Sequence, residues 1–380
     1  MSYPKSKQVK HVTVVTGTRA EFGILRSVIE AILKQPRLKL RLVVSGLHLT
    51  MGTYKDIVKS GFQIDGKVKM QKKGVIGRKE DALAFSRGVT GFAKEFTDNQ
   101  TDVVLVLGDR IEAFAAATAA ALSGVHLAHI HGGDRAEGVA DESMRHAITK
   151  LANIHFPASK QSAKRIEKMG ETKASIFQHG SPSIDDLELS IRRIENVAGV
   201  IVLQHPTGQS NHAECKYMKQ TLRAAMEISK QGEKPLLVLY PNHDAGAEGI
   251  VEAIEAFEST HRSKATVKVC EHLPREVFLD YLWNANIVIG NSSAGLIEAA
   301  ALKTPVVNVG PRQNGREKPR SVVDSDYGVN AILEAAERAV EIDLSRMKHP
   351  YGEGDAGVKI ANTLGQMNLQ GVSLKKQNTY

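Results

Sequence analysis

The sequence predicts an α/β protein built from two Rossmann-like domains, each a parallel sheet with helices on both faces. Three observations lead there. Short β-branched runs recur, each ends in a polar or glycine-containing loop, and helical stretches alternate with them. The same grammar starts again near Gly199. At 380 residues the chain exceeds one ordinary core and fits two. Wholly apolar short strands between helices are what a sheet buried on both faces requires.

In chain order, Val12–Val15 reads as the first strand, ending in Thr16-Gly17-Thr18-Arg19 before a helix from about Glu21. Leu40–Val44 is the second, ending at Ser45-Gly46-Leu47-His48. Val103–Leu107 leads into Gly108-Asp109-Arg110 and an alanine-rich helix to about Leu122. Leu127–Ile130 precedes a loop crowded with acidic residues and histidines, then a helix through Ala147. In the second half Val200–Leu203, Leu236–Tyr240, Val267–Cys270, Ile287–Ile289 and Val306–Val309 read as strands. The stretch Gly180–Asn196 has no sheet pattern and is the expected boundary, giving domains of 1–182 and 183–350.

Composition narrows the function. An apolar share of 42% is enough for two cores, and 5% aromatic residues argues against stacking platforms for single-stranded nucleic acid. The net charge of +8 is compatible with an anionic ligand. The densest basic cluster (Lys67, Lys69, Lys72, Lys73, Arg78, Lys79) is punctuated by glycine and reads as a solvated loop rather than a nucleic-acid surface. Cys215 and Cys270 form neither a zinc motif nor a redox pair and are expected to be reduced thiols. With no signal-like N-terminus and no apolar run long enough to span a bilayer, a cytoplasmic protein is expected, with neither membrane nor nucleic acid as partner.

Ligand sites of open α/β sheets lie beyond the carboxyl ends of the strands, and the unusual clusters fall there. The richest follows Leu127–Ile130 and holds His129, His131, Asp134, Glu137, Asp141, Glu142, Arg145 and His146. Titratable groups crowded at a strand end perturb one another, which acid–base chemistry near neutral pH needs. Asp141/Arg145 and Glu142/His146 are i,i+4 pairs on a helix, and Asp109 beside Arg110 adds a carboxylate and a guanidinium. A zinc site at His129-x-His131 is disfavoured because alternate strand residues face opposite sides, so no metal is expected. Gly17-Thr18-Arg19 is a tight turn with a surface arginine or a diphosphate seat, where a helix N-terminus offers free N–H groups. It is neither a Walker loop nor G-x-G-x-x-G, and no cofactor is expected. Gly290-Asn291-Ser292-Ser293-Ala294-Gly295 is a better phosphate cradle, and Glu298 suits a vicinal diol. His205 and Asn242 end two further strands, the histidine as ligand contact or structural residue, the asparagine as ligand contact or Asx turn.

Taken in order, Gly17–Gly23, Gly46–Leu49, Gly108–Glu112, His129–Asp134, Asp141–Lys150, Gln204–Thr207, Tyr240–Asn242, Gly290–Glu298 and Arg312–Arg316 resemble the hydrolysing UDP-N-acetylglucosamine 2-epimerases of sialic-acid and legionaminic-acid pathways. The resemblance spans almost the whole chain. It implies a glycosyltransferase-B-like fold, a nucleotide sugar in a cleft between the domains, and a returning C-terminal helix at Ala356–Gln366. It implies release of UDP and of a free 2-epimeric amino sugar such as N-acetylmannosamine. By resemblance Arg19, Ala20, His48, Arg110, Arg145, His205, Asn242, Ser292, Ser293, Glu298 and Arg312 bind the substrate, and Asp109, His131, Asp141 and Glu142 surround the reacting sugar. It also implies a homodimer or homotetramer. Several members of the family have glutamate where this chain has His131, and a longer acidic residue is common at Asp134. The non-hydrolysing members have His-Val-Glu-Ala-Gly where this chain has His-Ile-His-Gly-Gly, which favours hydrolysis. The sugar (N-acetylglucosamine or diacetylbacillosamine) and the base (uridine or guanosine) stay open. So does a reading as a non-catalytic nucleotide-sugar or RNA-binding module.

Overall fold

A computed structural model describes residues 9–75, 77–135, 142–185, 187, 198–242, 244–261, 266–271 and 273–379, with the backbone alone for Arg78. Two compact units are present. One comprises Met1–Asp134, Asp141–Asp185 and Tyr351–Tyr380, and the other Arg135–Ala140 and Asp186–Pro350.

The first unit carries strands β1 (Lys10–Thr16), β2 (Leu38–Ser45), β3 (Gly66–Val68), β4 (Val103–Leu107), β5 (His126–Ile130) and β6 (Ile154–Phe156). They pair in parallel in the order β3-β2-β1-β4-β5-β6. Its helices are α1 (Arg19–Lys34), α2 (Leu47–Thr50), α3 (Tyr54–Lys59), α4 (Arg78–Asp98), α5 (Ile111–Leu122), α6 (Glu142–Leu151) and α7 (Lys160–Lys168). The second unit has β7 (Val200–Leu203), β8 (Leu236–Leu239), β9 (Val267–Cys270), β10 (Ile287–Gly290), β11 (Val306–Val309) and β12 (Val322–Ser325). Their order, β12-β11-β10-β7-β8-β9, is the same winding, read from the other edge. Helices α8 (Asn211–Gln231), α9 (Ala247–His261), α10 (Arg275–Asn284) and α11 (Val329–Val340) cover it. The last helix, α12 (Ala356–Gln366), belongs to the first unit.

Alternation along the strands sorts the first core onto two faces. Val12, Val14, Leu42, Val44, Val103 and Leu105 pack with Leu25, Ile29 and Ile32 of α1 and with Ile360 and Leu364 of α12. Val15, Val43, Val104 and Val106 point the other way, onto Phe92 and Phe96 of α4 and the alanines of α5. Helix α1 starts because Thr18 accepts the Glu21 N–H (3.2 Å) and Glu21 turns back to accept the Gly17 N–H (2.8 Å).

The strands missing from the sequence reading are β3, β6 and β12. Each is a short sheet-edge strand of three or four residues, and two carry Lys67 or Asp324 where an apolar residue would have marked them. In each sheet the winding direction reverses beside the first strand, between β1 and β4 and between β7 and β10. Ligand sites are expected outside these two points.

Candidate active site

Beyond β4 and β5 the chain brings Asp109 and His131 to neighbouring strand ends. Arg145, from α6, is 4% exposed and donates both to the Asp109 carboxylate and to the Asp134 carbonyl (3.1 Å). The sequence reading paired Arg145 with Asp141. Asp141 lies outside the described residues, as does Glu137, and Arg145 serves to fix the Asp109 carboxylate. The expected Glu142/His146 pair is present at 3.3 Å on the first turns of α6.

His131 adopts a left-handed backbone conformation (φ 64°), uncommon for a side-chain-bearing residue. Its Nδ1 lies 3.0 Å from Asp134 Oδ2 and its Nε2 2.8 Å from Ser181 Oγ. Asp134 is buried and also accepts from Ser162 (2.6 Å), near the start of α7. His129, two residues earlier, points elsewhere. Its Nε2–H donates to the Gly108 carbonyl (2.7 Å) and its Nδ1 faces Thr149 (3.2 Å). Burial lowers that imidazole to about 3, against the opposing pull of the Gly108 carbonyl, so it is a neutral prop of the Asp109 loop. Among the described residues no cluster of histidine, cysteine or carboxylates is arranged to hold a metal ion.

At the β1/β4 reversal two amides of the expected phosphate seat, those of Gly17 and Glu21, are bonded within the turn. The Gly17 N–H goes to Glu21, and the Glu112 side chain passes so close to Gly46 that a Cβ there would sit 2.2 Å from its Oε1. Gly46 also has φ 58°, so glycine is required on both counts. Burial, reinforced by Glu112, pushes the Glu21 carboxyl up to about 7. Arg19 and Ala20 are exposed at the helix start, with Arg19 paired to Asp56 at 2.5 Å, so Arg19 offers charge where the loop amide cannot. Arg110 is partly exposed, with its Nε 3.6 Å from Glu112. His48 is fully buried, its two ring nitrogens against Thr16 (3.3 Å) and Thr53 (2.8 Å), and burial takes it down to about 4. It braces the loops after β1 and β2, with both ring nitrogens turned to threonine hydroxyls.

At the β7/β10 reversal a second set of loops is tied together. The Asn291 side chain accepts from the His205 N–H (2.7 Å) and donates to the His205 carbonyl (2.8 Å). His205 Nδ1 accepts from the Asn242 N–H (3.1 Å), which leaves Nε2–H to donate to Ser292 Oγ (3.2 Å). Burial, with a smaller contribution from Arg312, holds this imidazole down at about 3. His205 is therefore a neutral imidazole joining the ends of β7, β8 and β10. Gly290, at φ 143°, lets β10 approach β7 closely: a Cβ would meet the Leu203 carbonyl oxygen at 2.1 Å. Buried Arg312 and Gln313 both donate to the Asn291 carbonyl (3.3 and 2.7 Å), and Arg312 faces Asp244 at 3.9 Å. Ser293 opens the helical stretch 293–301, within which Glu298 occupies a single π-helical turn, 3.4 Å from Arg275. A π-turn within an α-helix is a frequent mark of a functional position.

Ser181, Ser183, Glu21 and Glu112 were not singled out from sequence. The serines sit in a stretch read as a linker, and nothing local to Gly180-Ser181-Pro182-Ser183 signals a partner fifty residues earlier.

Two Rossmann-like units of matching winding define a fold of the glycosyltransferase-B-like class. The UDP-GlcNAc 2-epimerase of Neisseria meningitidis, solved with UDP-GlcNAc bound, shares it with a TM-score of 0.76, covering 93% of this chain and 99% of that one at 18% identity. The family model described as UDP-N-acetylglucosamine 2-epimerase matches residues 30–365, and the chain belongs to that family. It is 33% identical to a UDP-N,N'-diacetylbacillosamine 2-epimerase (hydrolyzing) of Legionella pneumophila, over 98% of this chain and 100% of that protein. It is 30% identical to a UDP-N-acetylglucosamine 2-epimerase of Neisseria meningitidis serogroup B, over 97% and 98%. Among the described residues no helix is long and apolar enough to cross a membrane.

Proposed function

We propose that the protein is a hydrolysing 2-epimerase that converts a UDP-linked 2-acetamido sugar to UDP and the free 2-epimer. The observation that carries this reading is the Asp109 carboxylate fixed by Arg145 beyond β4, with the Asp134-backed His131 beyond the adjacent strand β5. The C2 proton of such a sugar is weakly acidic, so a placed base must remove it as the diphosphate leaves C1. Cationic and hydrogen-bonding groups must take up the departing charge. Arg19, Arg110, Arg312 and the Ser292–Ser293 helix start are the groups of that kind at the strand ends. Loss of the C2 proton and of UDP gives a 2-acetamidoglucal. Water then adds at C1, and C2 receives a proton on the face opposite to the one deprotonated.

Two differently placed proton-transfer groups are needed. Asp109, His131, Asp141 and Glu142 are the candidates, acting as a coupled set. Ser292, Ser293 and Glu298 are assigned to the diphosphate and ribose. UDP-N-acetylglucosamine and UDP-diacetylbacillosamine are the substrates to try, the second because the Legionella relative carries that name. The reading also has this chain contribute to nonulosonic (sialic- or legionaminic-type) acid synthesis in the cytoplasm, as a homodimer or homotetramer.

The test is nucleotide release from each substrate with no acceptor present. Stoichiometric UDP and a manno-configured free sugar support the reading. Epimerisation with the nucleotide still attached makes the protein a non-hydrolysing epimerase, and tight binding without turnover makes it a binding module.

A further inference from the structure

We propose that Glu112 is a positioning residue: buried beneath the carboxyl ends of β1 to β4, it aims the Arg110 guanidinium at the diphosphate of the substrate. The proposal rests on the reading above, in which Arg110 takes up charge on the departing diphosphate. Glu112 lies in the first turn of α5 and is fully buried, and the loops after all four strands meet its side chain. After β1, Gly17 has no room for a side chain, since a Cβ there would lie 2.7 Å from Glu112 Cγ. After β2, Gly46 is a glycine for the same reason, pressed against Glu112 Oε1. After β3, Gln71 Nε2 donates to Oε1 at 2.7 Å. After β4, Arg110 Nε stands 3.6 Å from Oε2.

A glutamate in the first turn of a helix ordinarily faces water, where it complements the helix dipole at little cost. This one is withdrawn from solvent, and among the described residues its Oε2 has no hydrogen-bond partner. A buried carboxylate oxygen in that state has lost its hydration without full replacement, so fold stability alone gives no reason to keep it. What faces it is a cation. The 3.6 Å separation exceeds hydrogen-bond length for an N–H donor, so the contact is one of charge. Arg110 is 37% exposed, and an ion pair with an equally exposed partner would hold it weakly. Here the carboxylate is already fixed by Gln71 and by the two glycine walls, so only the arginine has to settle. The guanidinium is rigid and planar, and fixing Nε sets the direction of its whole fork of N–H donors. A cation aimed before the diphosphate arrives needs no reorganisation as charge develops there.

The experiment compares Glu112→Gln, Gln71→Ala, Arg110→Met and the double variant Glu112→Gln/Arg110→Met with the unmodified protein in the full chain. Titrations measure Kd for UDP and for uridine, which lacks both phosphates. Nitrogen NMR follows the Arg110 Nε–H, with Arg110→Met assigning the signal. Glutamine keeps the size of Glu112. With its Oε1 still accepting from Gln71, its NH2 group faces Arg110 and the attraction is lost. Glu112→Gln should weaken UDP about tenfold, the scale of one charged contact, and leave uridine within about twofold. In the Arg110→Met background it should have almost no further effect, because both changes remove the same contact. Gln71→Ala, at a half-buried residue, should weaken UDP about threefold with the same selectivity, and it decides the matter if thermal melts show that Glu112→Gln does not fold. The Arg110 Nε–H should exchange slowly with water in the unmodified protein and faster in Glu112→Gln and Gln71→Ala. Equal losses for UDP and uridine, no loss for UDP, full additivity with Arg110→Met, or a rapidly exchanging Nε–H in the unmodified protein overturns the proposal. The arginine signal is read without ligand. Absence of UDP binding would therefore sink the functional reading, while that signal still decides whether Glu112 holds Arg110.

Discussion

Arg145 holds Asp109: the buried guanidinium of α6 is bonded to the carboxylate that follows β4, and its other arm reaches the Asp134 carbonyl. One side chain thus sets the position of one candidate acid–base residue and the backbone of the residue supporting another. Removing one partner of such a pair leaves the other charge with less compensation, at a cost of about 3–5 kcal/mol when both are buried. Asp109 is partly exposed, so the low end applies to Arg145→Met, read from urea unfolding. Asp109→Asn keeps an acceptor for Arg145 and should fold normally while losing at least about 100-fold in kcat. Equal activity in Asp109→Asn would remove that carboxylate from the chemistry.

Stability should fall as the solution is acidified from neutral pH. His129 and His205 are held at about 3 and His48 and His349 at about 4, chiefly by burial. In the unfolded chain an imidazole protonates near pH 6.5, about where its free pKa lies. Between that pH and the folded values the unfolded state binds more protons, so acid favours unfolding through this window. Glu21, raised to about 7, acts oppositely: its contribution is full below the ordinary glutamate range and is lost as pH rises through about 7. Four histidines outweigh one carboxyl, and urea midpoints should drop between pH 7 and pH 5. His349→Gln should flatten that slope, and a flat profile in the unmodified protein would contradict the burial argument.

His205 should matter for nucleotide affinity through geometry rather than charge. Its ring accepts from the Asn242 amide and donates to Ser292. His205→Ala removes two hydrogen bonds of about 1 kcal/mol each, so the Kd for UDP should rise by roughly 10- to 30-fold in calorimetry. An unchanged Kd would show that the loops hold their shape without the strut.

The returning helix is secured at both ends by charge. Asp185 accepts from the Ala356 and Gly357 amides (2.9 and 2.6 Å), and buried Lys10 donates to the Gly365 and Met367 carbonyls (3.0 and 2.6 Å). These groups satisfy the unpaired amides and carbonyls of α12 and complement its dipole. Asp185→Ala should cost about 1–2 kcal/mol. Hydrogen exchange should accelerate across α12 first; uniform acceleration of the whole unit would contradict a local clamp.

The sequence made the central strands legible because Val103–Leu107 and Val200–Leu203 are apolar on both faces, and their loops stood out by glycine and charge. Helix α12 was legible only through the resemblance. The edge strands were not, since three residues such as Gly66–Val68 carry no periodicity. In the candidate site, residue types marked loops at strand ends and the local Glu142/His146 pair, but not the partners that lie far apart in sequence. Arg145 also bonds Asp109, thirty-six residues away, a contact that no local pattern announces, because parallel strands bring their ends together. The hydrogen bonds of the His48 and His205 ring nitrogens, to Thr16 and Thr53 and to Asn242 and Ser292, span loops far apart in sequence and could not be read from it. The Ser181 contact spans fifty residues and leaves no local trace.

The most direct test of the proposed chemistry is proton NMR of the protein with UDP-N-acetylglucosamine, and then UDP-diacetylbacillosamine, in heavy water. The account predicts free UDP together with a manno-configured sugar whose C2 proton has been replaced by deuterium. Release of UDP with the C2 proton retained would mean simple hydrolysis without proton exchange, and would contradict it.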